Sequence, residues 1–440
     1  MRSKSVQSRG SLTLARWLGA RPSRWLAASV SLWFLNYLFG PYSYSTNGGV
    51  LGWLYLVLAF SIFWLGLFIG EHLKPAPKLI EYGKSRLGKS YELMLLPLLC
   101  LFLAASIYNY LSYSEIAGGG FGLESGEARN ALDGLAIQGF ERPILVRSAD
   151  GMATASLAFP LLILSCRTRY FTTVLLAILP SVVMLLTQLS IGGRNAAALV
   201  VMVLGICFML RRNAGLRERA GMIWLQRILI VGVAASLLIM VMMFAWRYGV
   251  GSQSELDVSS PFVWNAVSVL RDSYRAVNDG CDGCLSSVYL LSYYASHSAP
   301  FFVSLFEASD YSSPEYGAFH FRIFGLIYGG GGQFIKIIES QPFFGLYPTA
   351  MQGLLLDFGL FGALCAVLIT GFLFGAVANA AIRGNAYACC FVPLILAVVA
   401  ISPVYYFIWG GADFVFLGLA VLIGTLGLLG FLTGRRVFEN

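Results

Sequence analysis

Residues 411–436 read GADFVFLGLAVLIGTLGLLGFLTGRR, and no charged side chain interrupts the stretch from Phe414 to Gly434. At 1.5 Å per residue a helix of that length covers about 30 Å, the thickness of a bilayer's hydrocarbon core. Outward from it, apolar runs of the same kind recur at 25–41, 50–70, 91–112, 151–166, 170–190, 195–210, 223–246, 347–378 and 386–403, with 411–432 the last. The chain is 58% hydrophobic and 12% charged, where soluble domains carry about 25% charged residues. No water-soluble core could hide that much apolar surface. The expected fold is all-α: one polytopic membrane domain over residues 1–440, with about ten transmembrane helices and a long structured periplasmic loop.

The net charge of +8 is not a nucleic-acid signal, because the basic residues sort by side. With the N-terminus inside, segments 1–24, 71–90, 167–169, 211–227, 379–385 and 433–440 are cytoplasmic and hold 21 of the 30 Lys and Arg. That asymmetry follows the positive-inside rule across alternating loops. Ten spans also return Arg435 and Arg436 to the side of the basic N-terminal tail, so both termini are expected in the cytoplasm. No small-residue cleavage site follows residues 1–24, which reads as a retained cytoplasmic tail.

Six of the eight cysteines fall in or beside spans, where Cys behaves as a small hydrophobe. Cys281 and Cys284 stand as Cys-Asp-Gly-Cys in an outer loop, where disulfides persist. A local staple or a pair of free thiols is expected of them. Two outer segments exceed simple turns: 113–150, and 247–345, read as the large periplasmic loop. In the second, Ser260-Pro261 has the form of a helix start. From there Val263, Ala266, Val267, Leu270, Tyr274 and Val277 share one face, and Asn265, Ser268, Arg271, Asp272 and Arg275 the other. Such a helix would lie flat on the membrane with Arg271 and Arg275 one turn apart above it. The Tyr-rich stretch 285–306, carrying His297, is expected to be interfacial or re-entrant rather than an eleventh span.

The chain has no P-loop, GxSxG elbow, HExxH pair or dinucleotide fingerprint. No metal and no cofactor is expected, and chemistry is sought at the outer surface. There the arginines stand out. Arg194 lies in Ile-Gly-Gly-Arg-Asn between two spans; its permanently charged fork suits phosphate oxygens. Arg247 ends the seventh expected span, and Arg271, Arg275, Arg322 and Lys336 add to the outer positive charge. For any one of them, snorkelling to lipid headgroups is the competing role. His320, two residues before Arg322 and ahead of four glycines at 329–332, is the candidate general base; His297 is a weaker one. Asp357, about ten residues into a helix that starts near Tyr347, needs a partner at that depth, structural or functional. Asp413 reads as a solvated helix terminus.

Two motifs carry a resemblance. Gly192-Gly193-Arg194-Asn195 leads straight into a span, and Tyr347-Pro348-Thr349 is followed by Asp357-Phe358-Gly359 and Gly362 on a long helix after the large loop. In these and in layout the chain resembles the Wzy-type polysaccharide repeat-unit polymerases, in the O-antigen polymerase and ligase superfamily. The resemblance implies a membrane glycosyltransferase of the bacterial cell inner membrane. Its substrate would be an undecaprenyl-pyrophosphate-linked oligosaccharide, and the growing glycan would pass onto a new lipid-linked unit. It implies His320, Arg194, Arg247 and Arg322 as catalytic groups, and Arg194, Arg247, Arg271 and Arg275 around the pyrophosphate. Asp357 would be structural or catalytic. Membrane lipids, a chain-length regulator and a flippase are the implied partners. The rivals are a ligase delivering the same donor to lipid A-core, a flippase for lipid-linked oligosaccharide, and a non-catalytic envelope scaffold.

Overall fold

A computed structural model describes residues 19–44, 49–74, 85–116, 144–190, 194–213, 268–281, 285–306, 349–404 and 412–439, with isolated positions at 224, 227 and 231. The described chain is a helical bundle with two small two-stranded sheets. In order it forms α1 (Pro22–Phe39), β1 (Tyr42–Tyr44), α2 (Val50–Glu71), β2 (Arg86–Leu87), α3 (Lys89–Ile116), α4 (Ile144–Ala155) and α5 (Ala158–Ser165). It continues as α6 (Phe171–Ser190), α7 (Arg194–Asn213), β3 (Ser268–Leu270), α8 (Asp272–Asp279), α9 (Ser286–Ser296) and α10 (Ser298–Phe306). It closes with α11 (Ala350–Ile382), α12 (Ala386–Ile401), α13 (Ala412–Thr433) and β4 (Phe438–Glu439).

Among the described residues seven helical stretches are long and apolar enough to cross a membrane: Val50–Glu71, Lys89–Ser114, Ser148–Ser165, Phe171–Gln188, Ala196–Asn213, Ala350–Ile382 and Ala412–Thr433. The protein is therefore a multi-pass membrane protein. Helix α12 is apolar but shorter, and α1 corresponds to the expected first span. The expected span 223–246 lies outside the described residues except for the helical positions 224, 227 and 231. The fourth expected span starts earlier, at Ile144, and breaks at 156–157 into α4 and α5, so 144–150 is helix and not loop. The rest of the 113–150 segment from 117 onward lies outside the described residues.

Helices α2 and α11 make the closest contact. A Cβ built on Gly66 would stand 2.5 Å from the Leu368 carbonyl oxygen, and one on Gly371 2.6 Å from that of Phe63. Gly70 is as tight against Phe372 and Gly375 against Leu67. Each helix thus presents a Gly-x-x-x-Gly face, and the two run parallel with their backbones touching. In lipid no hydrophobic force draws helices together, so small residues that let main chains approach supply the dispersion contact. The pair is tied along its length. Tyr55 Oη donates to the Leu360 carbonyl (2.8 Å), and Asn379 Nδ2 donates to the carbonyls of Glu71 (2.6 Å) and Lys74 (3.1 Å) at the end of α2.

Helix ends sort into two ends of the bundle. At the tail end, charged side chains close the termini of neighbouring helices. The two Glu71 oxygens accept from Ser23 N (2.6 Å) and Ser23 Oγ (2.7 Å) at the start of α1. Glu92, fully buried, accepts from Arg169 N (2.9 Å) and Tyr170 N (2.8 Å) ahead of α6. Arg211 Nη1 donates to the carbonyls of Leu164 (2.6 Å) and Cys166 (3.0 Å) at the end of α5. Terminal N–H and C=O groups lack partners within their own helix, and an anion at the N-terminus or a cation at the C-terminus satisfies both group and dipole. Here β2 pairs antiparallel with β4, so the tail after α13 clasps the loop before α3. The exposed Arg169–Glu439 ion pair (2.9 Å) adds little on top of these bonds.

The glycine contact predicts a contrast between two substitutions. Gly375→Leu drives a side chain into the α2 backbone and should lower stability by about 1–3 kcal/mol, the range for overpacking. Gly205→Leu, where an added Cβ meets nothing within 4 Å, should leave it nearly unchanged. Thermal unfolding in lipid nanodiscs measures both; equal effects would remove the contact from its structural role.

Candidate functional site

The opposite end of the bundle, the loop end, carries a layer built from 268–306. Helix α1 stops at Phe39 because Gly40 and Pro41 follow it. The chain then turns into β1, which pairs antiparallel with β3, Tyr42 opposite Leu270 and Tyr44 opposite Ser268. Residues 268–270 are therefore strand, and of the helix expected from Ser260 the described residues show Asp272–Asp279. The physical reason is pairing: β1 offers an edge, and a short strand satisfies its backbone where an isolated amphipathic turn would not. Residues 260–267 lie outside the described residues.

Arg271 is the hinge between β3 and α8, in extended conformation. Its N–H donates to the Pro41 carbonyl (2.9 Å); Nε donates to Tyr42 O (3.3 Å) and Nη2 to Tyr37 O (3.4 Å). Tyr274 Oη donates to Phe39 O (2.7 Å). Together they close the C-terminal carbonyls of α1, where a cation is favoured. Arg275 follows one turn later, half-buried. The pair was expected one turn apart on the polar face of a helix above the bilayer; Arg271 instead precedes α8 and has N–H groups committed to the α1 terminus.

Helix α9 docks on α1 through a reciprocal pair: Asn36 Nδ2 donates to Ser292 O (2.8 Å), and Ser292 Oγ donates to Asn36 Oδ1 (2.6 Å). Tyr44 Oη and Ser296 Oγ share a bond of 2.6 Å. Burial pushes the Tyr42 and Tyr44 phenols up, so both remain neutral at physiological pH. Helix α10 lies against the start of α2 at Gly52, where a Cβ would be 3.1 Å from Val303 Cα. Ser298 Oγ donates to Pro403 O (3.1 Å) past the end of α12. The stretch 285–306 is thus two short helices resting on the ends of spans, in line with the interfacial expectation. His297 between them is buried; its Nδ1–H donates to Tyr293 O (3.0 Å) and its ring stacks on Tyr293 at 4.8 Å, a structural setting. Cys281 is disulfide-bonded, which favours the staple over free thiols; Cys284 lies outside the described residues.

Of the other expected site residues, Arg194 is the first residue of α7, and chain direction puts that start at the loop end, since Arg211 near the other terminus is at the tail end. Asp357 is fully buried and not without a partner. Two residues on, Gly359 has φ 66° and ψ −176°, a conformation essentially confined to glycine, and α11 is broken there. Asp413 lies in the first turn of α13, half-buried and also partnered. Arg247, His320, Arg322, Lys336, Gly192, Gly193, Tyr347 and Pro348 lie outside the described residues. The Gly359 break carried a sequence signal, a glycine beside an acid in an apolar run. The β1–β3 pairing carried none, because its partners stand over 220 residues apart.

Arg271→Ala should destabilise the protein by about 1 kcal/mol, the lower end of the penalty for leaving acceptors unpaired, since these are only partly buried. Arg271→Lys should recover less than half, lacking the planar fork. Thermal unfolding measures this, and an unchanged midpoint for the Ala variant would return Arg271 to the pool of ligand-binding candidates.

Comparison of the chain with protein-family models, with curated proteins and with solved structures gives no match.

Proposed function

We propose that the protein is a membrane glycosyltransferase of the repeat-unit polymerase type. In this reading about ten helices cross the bacterial inner membrane, the tail end is cytoplasmic, and the loop end is the chemical one. The growing glycan is transferred from its undecaprenyl pyrophosphate carrier to a hydroxyl of an incoming lipid-linked unit. The bond between anomeric carbon and pyrophosphate oxygen breaks, and a bond from the acceptor oxygen forms. The acceptor's proton passes to His320, and the leaving pyrophosphate's charge falls to Arg194, assisted by Arg247, Arg322 and Arg275. Fixed guanidinium groups suit that task, being aimed at charge that grows as the bond breaks.

The observation that carries the reading is the position of Arg194. It opens α7, so the residue stands at a helix N-terminus, whose N–H groups and dipole favour phosphate. That terminus is at the same bundle end as the docked layer with Arg271 and Arg275. A second reading has one observation in its favour. The break of α11 at Gly359 beside buried Asp357 has the form of the discontinuous helices that line transporter paths, and would suit a flippase for the same lipid-linked glycan.

Glycan length from purified protein in lipid, supplied with lipid-linked repeat units, separates the readings. Arg194→Ala should slow chain growth about 10²-fold, by analogy with loss of one oxyanion donor, and Arg194→Lys should recover part of it. His320→Ala should abolish growth while donor binding persists. Polymer built at the parental rate by Arg194→Ala would defeat the phosphate role. Translocation of labelled donor without chain growth would favour the flippase, and transfer to lipid A-core alone the ligase.

A further inference from the structure

The tail end contains a cavity of about 400 Å³ that takes no part in the chemistry proposed for the loop end. Ser85, the α11–α12 turn with Asn385 and Tyr387, the last turns of α13 and the tail with Arg435 and Arg436 line it. Among the described residues its walls carry two guanidinium groups, two hydroxyls and a side-chain amide, and no acidic side chain. The start of α12 borders it as well: Asn385 Oδ1 accepts from Ala388 N (3.0 Å). The backbone on the arginine side is fixed. Arg435 N donates to Gly430 O (3.1 Å), and the Arg435 carbonyl accepts from Tyr91 Oη (3.2 Å). Both arginine side chains are exposed. A cavity of this size, rich in donors and doubly positive, is suited to a compact anion of headgroup dimensions.

A second feature tells a lipid from a free anion. The cavity reaches Gly427 on α13, and a Cβ built on Gly427 or on Gly424, one turn earlier, meets nothing within 4 Å. Phe431, also lining the cavity, is 83% exposed on a helix long and apolar enough to cross a membrane. The polar cavity therefore opens into an apolar groove on a membrane-facing helix. Inorganic phosphate would use only the polar part; a phosphate bearing alkyl chains uses both. We propose that this is a binding site for an anionic phospholipid, its phosphate held by Arg435 and Arg436 and one acyl chain lying along Gly424 and Gly427. Because the site joins α12, α13 and the tail that pairs with β2, an occupied site braces the tail clasp.

The test uses the full chain in nanodiscs of phosphatidylcholine, with phosphatidylglycerol titrated in. Native mass spectrometry counts bound lipid and thermal unfolding reads the bracing. Phosphatidylglycerol should bind and raise the unfolding midpoint. The double variant Arg435→Gln/Arg436→Gln should weaken its binding by about tenfold or more, given the usual worth of two basic residues facing anionic lipid. Arg212→Gln, which removes an exposed charge not lining the cavity, should leave binding unchanged. Gly427→Leu, which fills the groove and leaves the arginines intact, should also weaken phosphatidylglycerol binding. Inorganic phosphate at equal concentration should raise the midpoint little. Parental phosphatidylglycerol binding in the double Gln variant overturns the site. An unaffected Gly427→Leu variant, or inorganic phosphate matching the lipid, overturns the assignment to a phospholipid.

Discussion

Backbone meets backbone where Gly66 and Gly70 of α2 face Gly371 and Gly375 of α11, and much of the bundle's order follows from that contact. Helices in lipid gain nothing by hiding apolar surface from one another, so a close main-chain approach is among the few strong forces available. The two helices are parallel, although α2 ends near residue 71 and α11 begins near 350. The chain between them must therefore return to the end where α2 began before α11 can start. That constraint puts the beginning of α11, the beginning of α2 and the end of α1 side by side. The 268–306 layer docks over the end of α1 and the beginning of α2, and reaches the chain after α12 through Ser298.

Charges do a second job in this arrangement. Read along the sequence, Glu71, Glu92, Arg211 and Arg271 are residues near span boundaries that report topology. In the fold each closes the terminus of another helix. An interfacial helix end has unpaired backbone groups in a medium poor in water, and a charged side chain from a neighbour satisfies them while fixing how the two helices stand. Helix order is thus held by glycine contact along the shafts and by side-chain caps at the ends. Arg271 illustrates the consequence for function: an arginine read from sequence as available for phosphate has bonds committed to α1.

Apolar segments were legible because apolar length is a direct physical requirement of the bilayer: nine of the ten expected segments have helices among the described residues, and seven helical stretches are long and apolar enough to cross. The Gly-x-x-x-Gly pairs were legible in principle, since both spacings stand in the sequence, but that they face each other is a tertiary fact. Within the periodic stretch 263–277, the described residues are strand at Ser268–Leu270 and helix only from Asp272, because β1 competed for Ser268–Leu270 with backbone hydrogen bonds. Local pattern carries no record of a partner strand so far away. For the site, sequence reading found Arg194 and Asp357 at consequential positions, a helix start and a helix break. It read Arg271 by charge and could not see the carbonyls it serves.

The account rests on the two bundle ends facing opposite sides of a membrane, with the 268–306 layer outside and the tail clasp inside. Single cysteines at Ser273, exposed on α8, and at Ser90, exposed beside the tail clasp, test this directly. The background should lack the exposed thiols Cys100 and Cys365. In intact spheroplasts a membrane-impermeant maleimide should label Ser273→Cys at once and Ser90→Cys only after permeabilisation. Labelling of both from the same side, or of Ser90→Cys alone from outside, would contradict the orientation and the function proposed on it.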